Sequence, residues 1–362
     1  MHYIAPSKTI GILGGGQLGR MMANAAAALG YRVHIFCPEE DCPASQVTPL
    51  FTRAAYDDAS ALRKFAEAVD VITYEFENIP LQTIEFLEKL KPVFPDSGVL
   101  SKCQHRVKEK SFVREWGADT ADFRAVSSLA ELQQAVKELG FPCVLKTCTM
   151  GYDGKGQAMI RNDSDVETAW YALKTDDAIL EAFVPFECEI SVIVARDGEG
   201  AIASYVPVEN EHKHHILHRT LAPARVAPQV LAKAEQMAQK IAAGMNLVGL
   251  LAVEMFVTAE GRVLVNEMAP RPHNSGHWTM DACVTGQFEQ SIRAICGLPL
   301  GSTERLADAE MLNLIGDDIH LWQQYIHQPN AKIHLYGKTE IKPGRKLGHI
   351  NLLHFPPGNL FG

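Results

Sequence analysis

Long apolar runs, closely paired cysteines and an excess of basic residues are all missing from this 362-residue chain. No stretch approaches the roughly 20 apolar residues that span a bilayer, and the N-terminus lacks a basic segment leading into an apolar one. A soluble, cytoplasmic protein with no membrane association is expected. The eight cysteines (Cys37, Cys42, Cys103, Cys143, Cys148, Cys188, Cys283, Cys296) include no CxxC pair, which argues against a zinc ribbon or a thioredoxin-like centre. Thiols within apolar runs, such as Cys143 beside Val144 and Leu145, read as buried and reduced. With 34 Lys and Arg against 43 Asp and Glu, the net charge is −9. A general nucleic-acid binder needs the opposite balance.

What remains is an ample apolar fraction, 47%, with 21% charged residues, so a packed core is expected and disorder is not. The length suits two or three domains. Residues 9–13, 32–37, 69–74 and 93–94 read as short strands, with helices at 18–29 and 81–91. Alternation of this kind predicts a parallel sheet covered by helices. A charged helix over 101–116 leads away from it. A smaller α+β module follows, with helices at 129–139 and 163–173 and strands at 143–147, 158–160 and 178–181. Beyond it come strands at 188–195, 201–207, 250–257 and 262–267 and helices at 229–245 and 287–296. His212, His214, His215 and His218 read as part of a polar loop.

Gly14-Gly15-Gly16-Gln17-Leu18-Gly19 matches GxGxxG between a strand and a helix, with Glu39 and Glu40 about 20 residues on, so an NAD-dependent dehydrogenase is one reading. Three downstream features favour another cofactor. Lys146 ends a buried strand, where its ammonium needs an anion, and phosphate suits it. The loop Gly151-Tyr152-Asp153-Gly154-Lys155-Gly156-Gln157 joins two strands and can present backbone donors to phosphates. Glu254 and Glu267 interrupt two apolar strands that read as a hairpin, with Asn266 alongside. Neighbouring buried carboxylates repel unless a cation lies between them, and Mg²⁺ bridging nucleotide phosphates fits.

These residues in this order resemble the nucleotide site of the ATP-grasp superfamily. Within it, GILGGGQLGRM, Tyr74-Glu75-Phe76-Glu77-Asn78-Ile79, the loop from Gly151 and the run from Asn266 to His277 resemble the N5-carboxyaminoimidazole ribonucleotide synthetases. The resemblance implies an α/β ATP-grasp fold: a pre-ATP domain over residues 1–100, a linker helix and α+β lid over 101–183, and a mixed-sheet metal-binding domain over 184–362. A basic substrate-phosphate module at 315–353 falls within the last. It also implies ATP contacts at Arg106, Lys146, residues 151–157, Glu181, Ala182, Phe183, Val184, Glu189, His212, Asn266 and Glu267, with Mg²⁺ held by Glu254 and Glu267. Gln17, Leu18, Glu75, Lys338, Arg345 and Lys346 are implied to hold 5-aminoimidazole ribonucleotide, and Tyr152, Asp153, Arg271, His273 and Asn274 to line the bicarbonate and imidazole pocket. The implied reaction is ATP- and bicarbonate-dependent carboxylation of that ribonucleotide through carboxyphosphate, by a homodimer. The rivals are a formate-using glycinamide ribonucleotide transformylase, the dehydrogenase above, and a nucleotide sensor without turnover.

Overall fold

The computed structural model describes residues 3–151 and 155–355. Its first sheet is parallel, in the order β3-β2-β1-β4, from β1 (Thr9–Leu13), β2 (Arg32–Cys37), β3 (Leu50–Arg53) and β4 (Val71–Tyr74). Both β1 and β4 are buried at every position, as continuous apolar runs between helices must be. Around them lie α1 (Gln17–Ala28), α2 (Ala59–Glu67) and α3 (Leu81–Glu88). Val93 adds a parallel bridge to Ile72 in place of the strand expected at 93–94. The sequence pattern missed β3 and α2, although Asp58 caps α2 by accepting from the N–H groups of Ser60 and Ala61.

The helix expected over 101–116 is two helices, α4 (Ser97–Cys103) and α5 (Arg106–Glu115), parted by an extended His105. The second sheet is antiparallel, ordered β5-β8-β6-β7, from β5 (Phe123–Val126), β6 (Cys143–Thr147), β7 (Gln157–Ile160) and β8 (Ala178–Ala182). Helices α6 (Leu129–Leu139) and α7 (Asp163–Leu173) cover it, starting at the capping side chains of Ser128 and Asn162.

Nine strands form the third sheet: β9 (Phe186–Arg196), β10 (Ile202–Ser204), β11 (Val208–Lys213), β12 (Ile216–Ala222), β13 (Gly249–Thr258), β14 (Val263–Ala269), β15 (Asp308–Ile315), β16 (Ala331–Leu335) and β17 (Lys346–His354). Its named strands all pair antiparallel, and its parallel component is the bridge between Thr120 and Val265. Helix α8 (Pro228–Gly244), with Pro228 in its first turn, packs Ala234, Ala238 and Ile241 on Val192, Val194 and Val253. Each large apolar side chain buried in this layer contributes about 1.5–3 kcal/mol. The short α9 (Thr279–Ala282) and α10 (Gln287–Ile295) close the other side, where Phe288, Ile292 and Ile295 share a core with Met21 and Met22 of α1.

The polar loop expected around the four histidines is instead the β11–β12 hairpin, turning at His214 and His215. Polar residues fold into it because they satisfy one another. Asn210 donates to Ser191 and accepts from Thr220, each at 2.9 Å, and all three are buried.

Candidate active site

A cavity of about 780 Å³ opens between the second sheet, α5 and the β13–β14 end of the third. That volume suits a nucleotide with a second substrate. Lys146, near the end of β6, enters it with Nζ 2.7 Å from Glu181 Oε2. The other carboxylate oxygen lies 3.3 Å from Lys110 Nζ, and Lys110 also donates to the Asn266 carbonyl at 2.9 Å. A chain of charge therefore joins the strand carrying Lys146 to the strand carrying Glu267. Burial opposes ionisation of Glu181, but Lys110 and Lys146 outweigh it and hold the carboxyl at about 2.

Glu254 and Glu267 stand directly opposite in the β13–β14 register, and both line the cavity. A register shift follows Glu254, the kind of irregularity that re-aims side chains at a site. His273 Nε2 lies 3.0 Å from Glu254 Oε1, and Arg106 Nη1 lies 3.2 Å from Glu267 Oε2. Burial again opposes ionisation, yet His273, His212 and Arg271 together keep Glu254 at about 2. Two facing carboxylates suit a divalent cation. Asn266 Oδ1 agrees, since it is a buried acceptor with no hydrogen-bond partner beside them.

Of the residues implied to meet adenosine, Glu181, Ala182, Phe183, Val184, Glu189 and His212 all line the cavity. His212 Nδ1 is 3.0 Å from Glu189 Oε2. The N–H groups of Ala182 and Phe183 are already taken by the carbonyls of Asp122 and Pro142, so Val184 is the first residue past that pairing. Phe186 and Phe256, stacked at 4.6 Å and 9°, add an apolar wall that sequence reasoning did not find. Gly151, Lys155 and Gln157 line the mouth, with Gly156 beside them at φ +71°. Tyr152, Asp153 and Gly154 lie outside the described residues.

At the glycine turn the structure overturns the dinucleotide reading. The place a pyrophosphate would take at the N-terminus of α1 is filled by Glu75, whose carboxylate accepts from the Gly16 N–H and, at 2.6 Å, from the Gly19 N–H. A Cβ on Gly14, which sits at φ +109°, would come within 2.3 Å of Glu75 Cγ. Glu39 accepts instead from the Cys37 thiol, and Glu40 pairs with Arg53. The glycines here make room for a carboxylate of the same chain.

Beside this turn Lys338 Nζ donates to Gln17 Oε1 at 2.8 Å and to the Lys346 carbonyl at 2.9 Å. Burial pulls Lys338 down to about 8. Leu18 is buried in the core of the first sheet, while Arg345 turns to Glu340. Arg345 and Lys346 both lie close enough to repel the Lys338 ammonium, so the three cations form one cluster.

Comparison with known proteins decides among the ligases. A ribonucleotide synthetase preATP-grasp domain is matched over residues 7–104, an ATP-grasp domain over 111–288 and a phosphoribosylaminoimidazole carboxylase C-terminal domain over 309–355. The N5-carboxyaminoimidazole ribonucleotide synthase of Bacillus subtilis is 47% identical over 98% of this chain and 93% of its own length. The chain belongs to the N5-carboxyaminoimidazole ribonucleotide synthase family. As such it is an ATP-grasp ligase, catalysing the ATP-dependent carboxylation of 5-aminoimidazole ribonucleotide in purine biosynthesis. The crystal structure of an ADP complex of N5-carboxyaminoimidazole ribonucleotide synthetase superposes with a TM-score of 0.94, at 46% identity, covering 98% of this chain and 94% of that one. A synthase from Aspergillus clavatus in complex with ADP and 5-aminoimidazole ribonucleotide gives 0.90 at 31% identity, covering 96% and 94%. The chain spans 37% of the bifunctional purine synthesis protein purC/E of Dictyostelium discoideum, with 47% identity over 96% of this chain.

Within this synthase, sequence reasoning missed Glu77, Glu109 and Lys110. Glu77 accepts from Arg271 Nε and fixes that guanidinium at the cavity wall. Glu109, buried, accepts from the Met268 N–H at 2.5 Å, and burial pushes its carboxyl up to about 8. The signal for the last two was present. Arg106, Glu109, Lys110 and Val113 fall at i, i+3, i+4 and i+7, so one face of α5 is charged yet also carries an apolar residue. A buried stripe of charge needs partners of opposite sign, which a site supplies.

Proposed function

We propose that ATP lies in the 780 Å³ cavity with its adenine between Val184 and the Phe186–Phe256 wall and its phosphates toward Lys146 and Arg106. Glu254 and Glu267, with Asn266 beside them, would hold Mg²⁺, which when bound neutralises phosphate charge. Bicarbonate would lie near Arg271, His273 and Asn274. Asn274 Nδ2 is a buried donor without a partner on this wall, which suits a small oxyanion. Attack of a bicarbonate oxygen on the γ-phosphoryl group gives carboxyphosphate and releases ADP. The protein's part is positioning and charge stabilisation, for which Lys146 and Arg106 supply fixed cations in a part-buried setting. Carboxyphosphate breaks down to carbon dioxide and inorganic phosphate. The exocyclic amine of 5-aminoimidazole ribonucleotide attacks the carbon and loses a proton, with the substrate placed along Gln17, Glu75 and Lys338 and its phosphate toward Lys338 and Lys346.

The observation that carries this reading is the chain from Lys146 through Glu181 and Lys110 to Asn266, which sets the phosphate lysine across from the paired carboxylates. Eight free cysteines, seven of them buried, support a reducing cytoplasm. A homodimer belongs to the same reading. Phosphate release from ATP and bicarbonate tests it: stimulation by 5-aminoimidazole ribonucleotide is expected. Stimulation by glycinamide ribonucleotide with formate instead would sink it.

A further inference from the structure

Outside the ATP cavity's carboxylates, three ligand-type side chains from three separate segments converge at the root of the loop that starts after β6. His105, Cys148 and Asp177 place an imidazole nitrogen, a sulfur and a carboxylate oxygen within 4.8 Å of one another, with His105 Nε2 3.3 Å from Asp177 Oδ2. We infer that these three side chains form a binding site for a thiophilic divalent cation, with zinc as its natural occupant and water as the fourth ligand.

Backbone geometry presets the cluster. The Arg106 N–H donates to the Cys148 carbonyl at 2.9 Å, and the Cys148 N–H donates to the Asp177 carbonyl at 3.0 Å. The three segments are therefore tied before any ion arrives, and the extended His105 between α4 and α5 points its ring at them. Ligands on tetrahedral zinc sit about 3.3–3.8 Å apart, given bonds of about 2.0–2.3 Å, so the group needs to contract by only about 1 Å. Charge also balances, since a thiolate and a carboxylate neutralise a 2+ ion. Burial and the neighbouring Asp177 push the Cys148 thiol up to about 12, so its proton leaves only as the ion binds, with the Val107 N–H beside the sulfur. Asp177 is about half exposed, at 55%, and gives the ion a way in.

The donor set separates this site from the one at Glu254 and Glu267. Oxygen ligands there suit a hard cation, while sulfur and imidazole here select zinc. An ion at Cys148 would pin the chain just after β6 to the first turn of α5, two residues from Lys146 and beside Arg106, which reaches Glu267. Zinc would then fix Cys148 where it lines the ATP cavity.

Cobalt(II) makes the site visible. Metal-free full-length protein, held in excess Mg²⁺ to occupy the oxygen site, is titrated with Co²⁺ and followed by absorption. One equivalent is expected to raise a sulfur-to-cobalt charge-transfer band that Zn²⁺ then abolishes, and Cys148→Ser should lack it. Asp177→Asn, on a half-exposed side chain, should keep the band but bind Co²⁺ at least about tenfold more weakly, because even the partners of metal ligands are worth 10–100-fold. No band in the unmodified protein, an undiminished band in Cys148→Ser, or unchanged affinity in Asp177→Asn would each overturn the assignment.

Discussion

Replacing Lys146 by alanine separates the chemical role of this lysine from its structural one. In the folded chain its ammonium sits 2.7 Å from Glu181, and the side chain is 12% exposed. Removing one partner of a buried ion pair costs about 3–5 kcal/mol when the other is left alone. Here Glu181 keeps Lys110 at 3.3 Å, so the loss of stability should fall below that range and the variant should fold. Turnover has no such substitute. A preorganised donor aimed at charge that develops in the transition state is worth about 2.7–4 kcal/mol, or roughly 10²–10³ in kcat. The assay is steady-state phosphate release with ATP, bicarbonate and 5-aminoimidazole ribonucleotide, beside a thermal melt. KM for the ribonucleotide should change little, because Gln17 and Lys338 are untouched. A folded Lys146→Ala with unimpaired kcat would refute the phosphate role.

Lys110→Ala should behave in the reverse order. It takes from the Asn266 carbonyl its buried donor, while Glu181 keeps Lys146 at 2.7 Å, so a loss of about 1–3 kcal/mol is expected in chemical denaturation. The glycine turn gives a steric prediction. Gly14→Ala collides with Glu75 at a φ that disfavours side chains and should lower soluble yield and melting temperature, whereas Glu75→Gln, which keeps the size, should be milder. Lys338 gives a pH prediction. Its ammonium is the form that meets a phosphate, and its pKa of about 8 means that form is lost as pH rises through 8. Hence kcat/KM for the ribonucleotide, which reports the free enzyme, should fall above about pH 8, and Lys338→Arg should flatten that limb because guanidinium stays charged.

Where burial and period agreed, the fold was readable. β1 and β2 begin and end where the apolar pattern does, as do α6, β6 and α7, each opened by a capping residue or closed by a change of period. The β11–β12 hairpin was not readable because its buried positions include Asn210 and Thr220, polar residues whose burial depends on partners ten or more residues away. Strand β3 is short and nowhere fully buried, so it carries no alternation to detect. In the site, Lys146, Glu254 and Glu267 stood out as charges in apolar strands, and the fold turns all three into one cavity. Lys110 and Glu109 stood out less, since a charged helix usually faces water and their only local sign is Val113 on the same face of α5, which packs on β14. Glu75 was noticed for its place after the third strand predicted from sequence, yet its bonding to the turn of α1 is a long-range contact that no local pattern encodes.

The direct test of the paired carboxylates is binding of Mn²⁺ in the presence of ADP, followed by electron paramagnetic resonance of the free ion. The unmodified chain should take up Mn²⁺ together with nucleotide, and Glu254→Gln and Glu267→Gln should each weaken that uptake by well over tenfold while ADP alone still binds. Uptake in both variants at the strength of the parent would contradict a metal held between β13 and β14.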